Sequence, residues 1–120
     1  MRALVVDDSS AMRSILRAAL KKHGFEVVEA KHGVDALAVL AQPGAFHLIL
    51  IDWNMPEMDG FELLRRLRSQ PRYAATKIMM VTTETGMHQM SDALAAGAND
   101  YIMKPFTFDV VGDKLRLIGL

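Results

Sequence analysis

Five short apolar runs, Ala3–Val6, Phe25–Ala30, Phe46–Ile51, Ile78–Val81 and Tyr101–Met103, recur along the chain with helically spaced stretches between them. This alternation restricts the fold more than any other feature, because repeated strand–helix units build a parallel sheet. The runs are continuous rather than alternating, which predicts strands covered by helices on both faces. Phe25–Ala30 is the most polar of them and is the candidate edge. With 120 residues, 51% of them hydrophobic, the chain has material for one well-filled core and no room for a second domain.

The helices have readable ends. Ser9 or Ser10 caps a first helix whose Met12, Ile15, Leu16, Ala19 and Leu20 share one face, and Lys21, Lys22 and His23 suit its negative end before a stop at Gly24. A second helix runs from about Val34 to Ala41 and ends at Gln42-Pro43-Gly44. Asp59 with Glu62 forms a capping box for a third, with Phe61, Leu64 and Leu67 inward and Arg65, Arg66 and Arg68 on a solvated face. A fourth covers about Met87–Ala96 before Gly97, and a fifth Phe108–Ile118, weakened at Gly112 by about 1 kcal/mol relative to Ala. The expected fold is α/β, a (βα)₅ doubly wound domain spanning residues 1–120.

Composition excludes several functions. Fourteen basic residues balance fourteen acidic ones, so no basic field marks the chain for nucleic acid or an anionic membrane. The absence of cysteine rules out disulfides and thiolate chemistry and fits a reducing compartment. The N-terminus turns acidic at Asp7 and Asp8, too soon for a signal peptide, and no apolar run reaches membrane-spanning length. A cytoplasmic protein is expected.

Ligands of open parallel sheets lie beyond the carboxyl ends of the strands, at the switch in strand order. Asp7 and Asp8 follow the first run, Asp52 and Asn54 the third, Thr82, Thr83 and Glu84 the fourth, and Lys104-Pro105 the fifth. A flavodoxin-like order, 2-1-3-4-5, would gather the three aspartates in one crevice flanked by a hydroxyl and an ammonium. Carboxylates that close raise one another's pKa unless cations offset them. Lys104 offsets one charge. The all-oxygen donor set predicts a hard ion, Mg²⁺ in preference to a calcium cage. Asp52, central in the group, is the candidate nucleophile for an acyl phosphate, with Thr82 and Lys104 placed to bind phosphoryl oxygens. Taken singly, each of these residues reads as an ordinary turn or loop; four strand ends carrying complementary groups do not.

Four segments, Val5-Val6-Asp7-Asp8-Ser9-Ser10, Asp52-Trp53-Asn54-Met55-Pro56-Glu57-Met58-Asp59-Gly60, Val81-Thr82-Thr83-Glu84 and Tyr101-Ile102-Met103-Lys104-Pro105-Phe106, together resemble the receiver domains of two-component response regulators. The single-domain chemotaxis type is the most similar. The resemblance implies that Asp52 takes a phosphoryl group from a histidine kinase, with Mg²⁺ held directly by Asp8, Asp52 and the Asn54 backbone carbonyl, and by Asp7 through water. It implies that Thr82 moves onto the phosphoryl group, that Tyr101 rotates inward behind it, and that a cis bond joins Lys104 to Pro105. Asn54 and Glu84 match the pair that flanks the attacking water in fast-resetting regulators, which implies a lifetime of seconds to minutes. Thr83 stands where the family more often has Ala or Gly, and its bulk is expected to slow entry of phosphodonors and water.

The expected output is protein binding by a monomer or weak dimer, through the face formed by the fourth helix, fifth strand and fifth helix, where Met87, Met90 and Leu94 lie beside Tyr101. Direct nucleic-acid and membrane binding are not expected. Two alternatives stay open. A receiver cut from a longer DNA-binding regulator is disfavoured by Met and Leu where such proteins carry charged dimer contacts. An aspartyl-nucleophile phosphatase would need an acid/base Asp where Asn54 stands. His23, His32, His47 and His88 are scattered and read as structural or solvated rather than as a phosphohistidine carrier.

Overall fold

The computed structural model describes residues 1–83 and 87–120, the latter without the side chains of Met87 and His88. Glu84 and the side chain of Met87 therefore lie outside the described residues. Five strands, β1 (Arg2–Val6), β2 (Glu26–Ala30), β3 (Leu48–Asp52), β4 (Lys77–Thr82) and β5 (Asp100–Met103), alternate with helices α1 (Ser10–Lys22), α2 (Gly33–Leu40), α3 (Gly60–Arg68), α4 (Met87–Ala95) and α5 (Phe108–Leu117). The strands form one parallel sheet in the order β2-β1-β3-β4-β5, with the expected edge at β2.

Strand residues divide between two cores by parity, since successive side chains point to opposite faces. Ala3, Val5, Leu48, Leu50, Met79 and Val81 meet Leu16 and Leu20 of α1 and Val111 and Leu115 of α5. Leu4, Val6, Ile49, Ile51, Ile78 and Met80 face Ala36 and Leu40 of α2, Leu64 and Leu67 of α3 and Ala93 of α4. The sheet is thus covered on both sides, and β1, β3 and β4 are buried almost throughout.

Ser9 and Asp59 cap α1 and α3 as expected. The Glu62 side chain accepts from Arg66 instead of completing a box, and Thr107 caps α5 without a sequence expectation behind it. The Ser9 hydroxyl accepts from the Met12 N–H at 3.2 Å, the Asp59 carboxylate from Glu62 at 2.8 Å and the Thr107 hydroxyl from Val110 at 3.2 Å. Gly24 closes α1 with φ +86°, a conformation that costs a side-chain-bearing residue energy. His32 caps α2 by accepting from the Asp35 N–H through Nδ1 at 3.2 Å, and His47 accepts from the Arg2 N–H at 3.1 Å. Both are structural.

Several expectations are corrected. Ile15 is 45% exposed, because it lies at the trailing edge of the α1 stripe rather than on its centre line. Leu63 is fully buried in α3, whereas Phe61 is half-buried and stacks on Trp53 with ring centroids 5.4 Å apart. β3 starts two residues later than the apolar run suggests and takes in Asp52 as its last residue. Gly112 is buried in α5, and a Cβ there would lie 2.7 Å from Cε1 of the exposed His23, whose ring would have to turn aside.

Arg68 departs most from its expected solvated place. Its guanidinium donates to the Gly97 carbonyl at 2.9 Å, the Tyr73 carbonyl at 2.6 Å and the Asn99 Oδ1 at 2.9 Å. That oxygen also accepts from the Ile78 N–H at 2.8 Å, so one side chain ties α3 to the turn before β4 and to the loop before β5. Arg68→Ala leaves these acceptors without their donor and is expected to cost about 1–3 kcal/mol in urea unfolding. Arg68→Lys should recover only part of the loss, because an ammonium cannot reproduce the planar fork.

Candidate functional site

Parallel strands present their carboxyl ends along one rim, and the polar residues gather there. The Asp7 N–H extends the ladder past β1 by donating to the Ala30 carbonyl at 3.1 Å. Its Oδ1 accepts from the Ser9 N–H at 2.9 Å, which fixes the carboxylate against the start of α1. The Asp7 carbonyl accepts from Arg13 at 2.7 Å, and Glu29 holds that arginine at 3.1 Å. Sequence reasoning missed Arg13; its signal is a cation one turn into the helix that follows the acidic pair.

Asp52 ends β3 opposite Val81. The chain then turns tightly through Glu57, at φ +67°, and returns so that the Gly60 N–H donates to the Trp53 carbonyl at 2.8 Å. A Cβ on Gly60 would lie 2.2 Å from the Asp52 carbonyl oxygen, an impossible contact. Glycine is therefore required for α3 to start against the back of the Asp52 residue. It stands in the motif quoted above, but its role is visible only in three dimensions.

Thr82 ends β4, buried, and its carbonyl accepts from the Lys104 N–H at 2.8 Å. The Lys104–Pro105 bond is cis, as the resemblance implies. The Lys104 ammonium donates to Asp7 Oδ2 at 3.2 Å and to Asp52 Oδ1 at 3.1 Å. Asp7 is 1% exposed and Asp52 5%, while Asp8 faces solvent. Carboxylate oxygens of Asp7, Asp8 and Asp52 all lie within 4.8 Å of one another. Carboxylates outnumber the ammonium three to one, and this excess, presented entirely by oxygen donors, fits a hard divalent cation.

The electrostatics follow from this crowding. Burial pushes the Asp52 carboxyl up to about 6, with Asp7 adding to the rise and Lys104 opposing it. Burial would lower the Lys104 ammonium, but Asp52 and then Asp7 outweigh it and hold the group above its usual value. Of the other expected site residues, Asn54 and Thr83 are exposed, and Tyr101 is half-buried against the core under α2, α3 and α4. The Tyr101 ring lies beside Lys114 of α5, with Nζ 4.4 Å from its centroid.

A doubly wound domain with an acidic, lysine-bridged cluster at its switch point defines a narrow class. The model of the response regulator receiver domain matches residues 3–116, and the chain belongs to that family. It is 45% identical over 119 residues to the chemotaxis protein CheY1 of Helicobacter pylori, covering 98% of this chain and 96% of that protein. It is 47% identical over 117 residues to the chemotaxis protein CheY homolog of Campylobacter jejuni, covering 97% and 90%. The structure of Vibrio cholerae CheY4 superposes with a TM-score of 0.89 at 38% identity, covering 98% and 97%.

The raised pKa makes a prediction about stability. Asp52 binds its proton more tightly folded than unfolded, so its contribution is present below about 3.8 and lost as pH rises through about 6. In metal-free protein the charge at Asp52 should cost up to about 3 kcal/mol near pH 7. Urea unfolding of wild type and Asp52→Asn should therefore show the variant gaining on wild type as pH rises from about 4 to about 7. A gap independent of pH would contradict the assignment.

Proposed function

We propose that Asp52 is the phosphoryl acceptor of this receiver domain and that phosphorylation switches its binding surface. The observation that carries this reading is the Lys104 ammonium bridging buried Asp7 and Asp52 with Asp8 alongside. In the proposed reaction an Asp52 carboxylate oxygen attacks the phosphorus of a kinase's phosphohistidine. The new O–P bond gives an acyl phosphate, and the broken P–N bond leaves the electron pair on imidazole, which takes up a proton.

Lys104, whose ammonium donates to Asp52 Oδ1, is assigned one phosphoryl oxygen, and the Thr82 hydroxyl a second. Asp8, Asp52 and the Asn54 carbonyl would hold Mg²⁺ directly and Asp7 through water; when bound, the ion offsets charge on the phosphoryl oxygens. Exposure of Asp8 beside two buried carboxylates keeps one side of the cluster open to a phosphodonor. Asn54 and Glu84 are assigned to the path of the hydrolytic water, with Thr83 narrowing it.

Thr82 moving onto the phosphoryl group would draw Tyr101 inward and alter the surface of α4, β5 and α5. That surface carries Leu94, 47% exposed, with Val110 and Leu117 also open to solvent, which suits an apolar partner segment. Similarity to chemotaxis proteins supports a motility pathway, a histidine kinase as donor and a cytoplasmic setting. Among the described residues no helix is long and apolar enough to cross a membrane.

Intact mass after incubation with acetyl phosphate and Mg²⁺ tests the proposal. One phosphoryl group should add to wild type, and none to Asp52→Ala or to wild type in excess chelator. Substitution of Asn54 or Glu84 should change the rate of decay. A phosphoryl group that persists in Asp52→Ala would overturn the reading.

A further inference from the structure

Tyr101 has a neighbour that the proposed switch does not use. Lys114, on α5, places Nζ 3.0 Å from Asp100 Oδ1 and 4.4 Å from the centre of the Tyr101 ring. The same Asp100 oxygen accepts from the Tyr101 backbone N–H at 2.8 Å. One carboxylate oxygen therefore fixes both the backbone of the tyrosine and the cation that lies against its ring. Lys114 is 23% exposed and Asp100 17%, so the pair is partly withdrawn from solvent and less screened than an open surface pair.

We infer that Lys114 is a positioning residue of the switch: its ammonium, anchored by Asp100, holds the Tyr101 ring in the half-buried place it occupies here. This inference rests on the reading of Tyr101 as the residue that moves. Asp100 is paired through the sheet with Met79, which holds its backbone in place when a neighbouring side chain rotates. Lys114 cannot follow the ring inward without leaving Asp100. Inward rotation therefore breaks the ring–ammonium contact, and an interaction made in only one of two states biases the equilibrium by its own free energy. Arg116, the next cation along α5, is paired with Asp113 and does not replace it.

Phosphorylation must overcome this contact, so Lys114 sets how far the unphosphorylated protein stays off. Removing the ammonium should raise the inward-to-present ratio of Tyr101 about three- to tenfold. The chain has two tyrosines, so the ring signals of ¹³C-labelled tyrosine report on Tyr101 with Tyr73 as internal control. They would be recorded for wild type, Lys114→Met, Lys114→Arg and Asp100→Asn, with and without beryllofluoride and Mg²⁺ as an acyl-phosphate mimic.

In Lys114→Met without the mimic, the Tyr101 signal should move part of the way toward its activated position. Asp100→Asn should move it less, and Lys114→Arg should leave it in place. A Lys114→Met signal that stays at the wild-type position, while the mimic still moves it normally, overturns the inference, even with a fall in melting temperature. If the mimic leaves wild-type Tyr101 unmoved, the switch reading fails first and takes the inference with it.

Discussion

The Lys104 ammonium lies between two carboxylates that are almost wholly withdrawn from water, and much of the molecule can be understood as the framework that keeps it there. Buried carboxylates without a partner would protonate or force the strand ends apart. One lysine offsets part of their charge and leaves an excess. Two features make the arrangement possible. The Lys104 N–H is tied to the Thr82 carbonyl, so its stem starts from a fixed point on the neighbouring strand. Asp7 is held from three directions, by Ala30 at its N–H, Ser9 at its side chain and Arg13 at its carbonyl.

The fold supplies rigidity where the chemistry requires it. β1, β3 and β4 are buried almost throughout, and their residues alternate between two separate cores. A displacement of Asp52 along its strand would move side chains on both faces of the sheet, which close packing resists. Gly60 adds a second restraint by bringing the start of α3 against the Asp52 carbonyl. Asp52 is thus fixed from behind, whereas Asp8 stays open in front. Tyr101 and Lys114 lie farther out, at the second sheet edge.

Most of the fold was legible because strand runs, caps and glycine stops are local signals. The strand order agrees with the flavodoxin-like order expected of such a sheet, whereas the division of strand residues between two cores is seen only in three dimensions. The residues of the cluster were legible for a related reason: each directly follows an apolar run, so topology alone brings them together. What escaped depends on contacts between distant segments. Arg68 reads as one of three arginines on a polar face, yet its acceptors lie at Tyr73, Gly97 and Asn99. The need for glycine at Gly60 comes from the Asp52 backbone, which no periodicity connects to it. Ile15 fails in the opposite sense, since helical spacing marks a stripe but not its width.

The central claim is that Asp7, Asp8 and Asp52 act as one cation-binding cluster with a charge excess over Lys104. Mg²⁺ titration followed by fluorescence of Trp53, the chain's one tryptophan and the residue next to Asp52, tests it most directly. Saturable quenching or enhancement is predicted in wild type, with affinity falling as pH drops through about 6, where Asp52 takes up its proton. Asp8→Asn and Asp52→Asn should each weaken binding by about tenfold or more, the effect on a metal site of losing a ligand or its support. Binding that is unchanged in both variants, or a wild type that shows none, would contradict the account.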